Sequence, residues 1–121
     1  MSKAILIVDD SASIRQTLGI SLKMGGYAVT EAVDGKDALT KLNGTKFNLI
    51  ISDVNMPNMD GINFAKAVKQ LPNYRFTPIV MLTTEGDERK KMEGKEAGVK
   101  AWIVKPFQPQ GLLDAVARLV V

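Results

Sequence analysis

A chain of 121 residues is the size of one domain, and a core of that size buries roughly two-thirds of the surface exposed by the unfolded chain. Hydrophobic residues make up 45% and charged residues 24%, with no cysteine and no histidine; disordered, collagen-like and low-complexity classes, disulfide frameworks, thiolate metal sites and histidine chemistry are thereby excluded. The net charge of +3 accompanies a mixed surface, with Arg89, Lys90 and Lys91 among Glu85, Asp87, Glu88 and Glu93, so no nucleic-acid partner is expected.

The first apolar run, Ala4–Val8, meets Asp9 and Asp10 at once. It is too short for a signal peptide or a membrane span and reads as a strand, which predicts a cytoplasmic protein with no membrane partner. Ile14, Leu18 and Leu22 then mark a helical stripe, and Gly25-Gly26 a turn. Residues 27–32 read as a second strand. After Asp34-Gly35, the positions Ala38, Leu39 and Leu42 repeat the helical spacing, and Asn43-Gly44 closes that unit. Residues 47–52 form a third strand, followed by Asp60-Gly61 and the stripe Phe64, Val68 and Leu71. A fourth strand covers 78–82. The helix expected over 87–97 carries Met92 and Ala97 but little other apolar material, with Gly94 in its middle at a cost of about 1 kcal/mol relative to alanine; it should be the least firmly held. Ala101–Val104, Lys105-Pro106 and the stripe Leu112, Val116, Leu119 and Val120 complete the pattern.

Five strand–helix units in one domain, 1–121, predict an α/β fold: an open, doubly wound parallel sheet with right-handed crossovers, since a closed eight-unit barrel needs about twice the length. Several strands are continuously apolar, as expected when both faces are covered.

Asp9-Asp10, Asp53, Thr83 and Lys105 stand at or just past the ends of the first, third, fourth and fifth apolar runs. In a parallel sheet these positions share one edge, and ligands of open α/β sheets bind outside the carboxyl ends of the strands. Singly, each has an ordinary explanation as a turn, cap or solvated residue. Together they do not, because a like-charged pair at about 4 Å and an effective dielectric near 20 costs about 4 kcal/mol. Three crowded carboxylates want a cation. An all-oxygen site suits Mg²⁺, which takes one or two carboxylates and keeps substrate phosphate oxygens. With Lys105 as a second positive charge and Thr83 as a hydroxyl donor, these are the parts needed for phosphoryl transfer. An ionised aspartate is already a nucleophile, so no general base is required.

The stretches ILIVDDS at 5–11, ISDVNMPNMDG at 51–61, MLTTE at 81–85 and AWIVKPF at 101–107 resemble, in order and spacing, the signature blocks of bacterial response-regulator receiver domains, and in particular the single-domain chemotaxis type. The resemblance covers essentially the whole chain. It implies the flavodoxin-like strand order 2-1-3-4-5 and a phosphorylation-activated switch of a two-component system. Asp53 would be the phosphoacceptor. Asp10, Asp53 and the backbone carbonyl of Asn55 would ligate Mg²⁺, with Asp9 acting through water. Lys105 would contact the phosphoryl oxygens, and Lys105-Pro106 would be cis. Thr83 would hydrogen-bond the phosphoryl group and move toward it, and Trp102 occupies the switch-aromatic position. Asn55 and Glu85 match positions that tune dephosphorylation.

Implied partners are a histidine kinase of the chemotaxis type, a motor switch or other downstream protein on the face from the fourth helix through the fifth strand to the fifth helix, and a phosphatase. A monomer is expected, delivering its effect through protein contact, with self-phosphorylation and auto-dephosphorylation as its only chemistry. Trp102 departs from the family, where tyrosine or phenylalanine is usual; a packing role is its alternative, as loop solvation is for Asn55 and Glu85. Met56, Pro57 and Met59 are read as shaping the turn beyond Asp53. Two other functions compete. One is a phosphorelay intermediate or phosphate sink. The other is a haloacid-dehalogenase-type phosphatase, disfavoured because Asn55 stands where that chemistry wants a second aspartate.

Overall fold

The computed structural model describes residues 2–84 and 88–121, the side chains of 88–90 excepted. Strand β1 (Ala4–Val8) shows why the molecule needs three layers. Ile5 and Ile7 point to one face and Leu6 and Val8 to the other, and all four are fully buried. A strand apolar on both sides must be covered on both sides, and each such side chain contributes about 1.5–3 kcal/mol by leaving water. The remaining strands are β2 (Ala28–Ala32), β3 (Leu49–Asp53), β4 (Ile79–Thr83) and β5 (Ala101–Val104). All pair in parallel, in the order β2-β1-β3-β4-β5, the topology implied above.

Helices α1 (Ala12–Met24) and α5 (Pro109–Leu119) cover one face, where Leu18, Leu22, Leu112 and Val116 meet Ile5, Ile7, Leu49, Ile51, Val80 and Leu82. Helices α2 (Gly35–Lys41), α3 (Gly61–Lys69) and α4 (Glu88–Glu96) cover the other, where Ala38, Phe64 and Val68 meet Leu6, Val8, Ile50, Ile79 and Met81. Among the described residues, no helix is long and apolar enough to cross a membrane.

Two Asp-Gly pairs read as turns are helix starts. Asp34 and Asp60 are N-caps, accepting from the backbone N–H of Asp37 and Asn63 at 2.8 Å each, so each satisfies a donor that the first helical turn leaves unpaired. Strands β3 and β4 each run one residue past the apolar runs, ending at Asp53 and Thr83. Ladder pairing is a backbone property, and these polar residues pair with Leu82 and Val104. Met92, expected to help hold α4, is 66% exposed; the buried positions toward the end of that helix are Gly94 and, just beyond it, Ala97.

At the start of α3, Gly61 donates to the carbonyl of Val54 at 2.8 Å. A Cβ there would run into the carbonyl oxygen of Asp53 and lie 3.0 Å from the Cα of Val54. The close approach of two backbones forbids a side chain. Gly61→Ala should therefore destabilise the domain by about 1–3 kcal/mol through overpacking, measured by urea unfolding. Gly19→Ala, whose Cβ would meet only Val29 at 4.0 Å, should be neutral or stabilise by up to about 1 kcal/mol.

Candidate functional site

Asp9 follows β1 directly and is fully buried. Its backbone N–H donates to the carbonyl of Ala32 at 3.2 Å, and its carbonyl accepts from the Arg15 guanidinium at 2.6 Å. One carboxylate oxygen accepts the N–H of Ser11 at 2.9 Å, and the other faces the Lys105 ammonium at 3.3 Å. Ser11 in turn caps α1 through its hydroxyl. The turn leaving β1 is thus held at every polar atom of Asp9, and it carries the exposed Asp10 at its outer side.

Asp53 ends β3 and is 8% exposed. Lys105 reaches it from beyond β5, with Nζ 3.3 Å from a carboxylate oxygen, the same distance as to Asp9. One ammonium therefore bridges two carboxylates that would otherwise repel. Lys105 is placed by its own backbone, whose N–H donates to the carbonyl of Thr83 at 2.7 Å; the Lys105-Pro106 peptide is cis. Burial pushes the Asp53 carboxyl above its usual 3.8, and the Asp9 carboxylate adds to the rise. Lys105 and the backbone N–H of Asn55 pull the other way without cancelling it.

Oxygens from Asp9, Asp10 and Asp53 all lie within 4.8 Å of one another. Hard oxygen donors beside a single lysine fit a divalent ion such as Mg²⁺. Of the positions singled out in the sequence, Asp9, Asp10, Asp53 and Lys105 converge. Asn55 is exposed just beyond Asp53, and Thr83 is 8% exposed at the end of β4. Glu85 lies outside the described residues.

Trp102 faces the same layer as Met81, its register partner, and so the same layer as Thr83 two residues on. Its indole packs against α4: a Cβ on Gly94 would sit 2.5 Å from a ring atom. Gly94 is thus the position that admits an indole here. It was legible only as a weakness in a helix, although a glycine eight residues before an unusual tryptophan was the available signal. Beyond β3, Met59 packs on Gly35, and Asn58, with a positive φ of 71°, donates to Asp34 at 3.0 Å. This pins the turn after Asp53 to the start of α2, the shaping role expected for that segment.

The chain belongs to the response regulator receiver domain family, whose model matches residues 5–117. It is accordingly a receiver domain of a two-component system, and such domains are phosphoacceptors that engage histidine kinases and downstream targets. The solved structure of the chemotaxis protein CheY4 of Vibrio cholerae is 49% identical, covers 99% of this chain and 100% of that one, and superposes with a TM-score of 0.96. The receiver domain of the sensor histidine kinase PA1611 of Pseudomonas aeruginosa, 25% identical over 98% of each chain with a TM-score of 0.90, has a magnesium ion in its active-site cleft. The transcriptional regulatory protein ResD of Bacillus subtilis is 39% identical over 116 residues, 96% of this chain and 47% of that protein. The chain spans about half the length of the curated relatives it matches.

A raised Asp53 carboxyl means that its ionised form is disfavoured in the folded state. The penalty is complete above the folded pKa and vanishes as pH falls through the unfolded value. In the presence of a chelator, Asp53→Asn should raise the melting temperature at pH 7, and the gain should shrink as pH falls toward about 4. Differential scanning calorimetry across pH checks this; an equal gain at every pH would contradict the electrostatic origin.

Proposed function

We propose that the protein is a reversible phosphorylation switch of the chemotaxis type, in which the carboxylate of Asp53 accepts a phosphoryl group from a histidine kinase. The observation that carries this reading is the Lys105 ammonium held 3.3 Å from Asp53 at an edge shared with Asp9 and Asp10. Nucleophile and charge neutralisation meet at one point.

In the reaction, an oxygen of Asp53 forms the bond to phosphorus as the bond to the donor's histidine nitrogen breaks, and the imidazole leaves with the electron pair. Lys105 offsets the charge on the phosphoryl oxygens, and the Thr83 hydroxyl donates to them. Asp10, Asp53 and the carbonyl of Asn55 would hold Mg²⁺, which supplies further neutralisation of phosphoryl charge. Asp9, with both carboxylate oxygens engaged, orders Lys105 and would support the ion through water. Asn55 and Glu85 tune the attack of water that reverses the modification. The cell is expected to hold the protein in the cytoplasm, where an unmodified aspartate meets its kinase.

The signal leaves through α4, β5 and α5. Lys91, Lys95, Lys100, Gly98, Val99 and Trp102 line an open cavity of about 490 Å³ on that face, so an acidic downstream segment complements it. The likeness to CheY4 over its whole length supports a motor-switch target; a relay or phosphate-sink role would instead show as transfer from Asp53 to a second histidine.

Incubation with Mg²⁺ and acetyl phosphate should give a single phosphoryl adduct by intact mass, absent in Asp53→Asn. Lys105→Gln should slow its formation by about 10²-fold. No adduct with several small donors or with a kinase would sink the proposal. For the switch, Gly94→Ala must displace the indole. The Trp102 fluorescence of that variant should differ from wild type before phosphorylation and change less upon it; identical spectra would remove Trp102 from the switch.

A further inference from the structure

We infer that Arg15 is a positioning residue for the cation site, acting through the peptide that joins Asp9 to Asp10. The inference rests on the proposed reading of Asp10 as a metal ligand.

Arg15 stands one turn into α1, and its side chain is only 16% exposed. Two of its nitrogens are committed to different elements. Nη1 donates to the Asp9 carbonyl at 2.6 Å, and Nε lies 3.4 Å from Glu31 on β2. Glu31 is the register partner of Ile7, so the guanidinium ties α1, the edge strand and the end of β1 together. A planar fork can hold two acceptors in fixed directions; a lysine, with one nitrogen on a flexible stem, cannot reproduce both.

The carbonyl oxygen it grips belongs to the Asp9–Asp10 peptide. Because a peptide is planar, fixing that oxygen constrains the plane and hence the position from which the Asp10 Cα projects its side chain. This matters for Asp10 in particular. Asp9 is anchored through its own carboxylate, whereas among the described residues no hydrogen bond holds the exposed Asp10 carboxylate. Its direction is set through its backbone. A hydrogen bond from a charged donor at 2.6 Å is the strong kind, and outer groups that orient a metal ligand commonly cost 10- to 100-fold, roughly, in metal affinity when removed.

The test is calorimetric titration of wild type, Arg15→Gln, Arg15→Lys and Glu31→Gln with magnesium chloride, beside each protein's metal-free melting temperature and the amide NMR shift of Asp10. Arg15→Gln should bind Mg²⁺ about tenfold more weakly, with the Asp10 amide displaced, while Arg15→Lys, whose one nitrogen can still reach the carbonyl, should lose less, and Glu31→Gln, which spares the carbonyl contact, should change affinity less than about twofold. Wild-type affinity in folded Arg15→Gln, whatever its melting temperature, overturns the positioning role and leaves Asp10 as a ligand intact. Should Arg15→Gln fail to fold, Arg15→Met, which also removes the donor, is titrated in its place with the same expectation and the same overturning result. Absence of Mg²⁺ binding by the wild type overturns both the positioning role and the reading beneath it.

Discussion

The ammonium of Lys105, 3.3 Å from Asp9 and 3.3 Å from Asp53, is the contact on which the site depends. Two carboxylates drawn together at the rim of a sheet repel by several kcal/mol in a medium of intermediate dielectric, and one cation between them lowers that cost without removing it. Burial first, and the Asp9 carboxylate second, keep the Asp53 carboxyl above its ordinary pKa despite the lysine. Acidic groups in excess over local positive charge leave the site attractive to a further cation. Burial limits the escape available to it, since Asp9 is fully enclosed and cannot turn to water.

The fold makes that contact cheap to assemble. Parallel strands place their carboxyl ends on one edge, so residues 9, 53 and 105 meet without a long loop or a strained backbone. The Lys105 N–H bonded to the Thr83 carbonyl continues the β4–β5 pairing to the position where the lysine must emerge. Gly61 lets α3 start close against Asp53 and Val54, and Asn58 fastens the same turn to the cap of α2. Each device is local, and each acts on the backbone around the edge that carries Asp53. The proposed grip of Arg15 on the Asp9 carbonyl extends the same principle to the other acidic turn.

What was legible in the sequence follows from which physical signals are one-dimensional. Strand β1 and the four convergent polar residues were readable because apolar runs and their ends survive in a linear string. Asp34 and Asp60 mark boundaries in the sequence without saying which kind, because an aspartate before a glycine serves equally as a turn and as a helix cap until the backbone direction is known. Met92 stands out in the sequence only as one of the few apolar residues of α4. The structure exposes it, since the inward face of that helix is filled from the other side by an indole. Arg15 gave no signal: one arginine in an amphipathic helix is ordinarily solvated, and its two acceptors come from turns and strands that only the tertiary fold brings near.

Gly94 and Trp102 are best understood as one feature. A tryptophan larger than the family's usual ring needs room, and the room comes from a glycine that weakens the helix receiving it. Among its described side chains, helix α4 consequently buries no large one of its own at that point and leans on a side chain supplied by β5. An element held that way has its position tied to the position of the ring. A phosphoryl group can shift the protein only through contacts that differ between two arrangements, and Trp102 shares a sheet face with Thr83, one register step from the rim where the proposed acceptor lies. A displacement at Thr83 would therefore take place on the same sheet face as the side chain that packs against the helix of the proposed output surface.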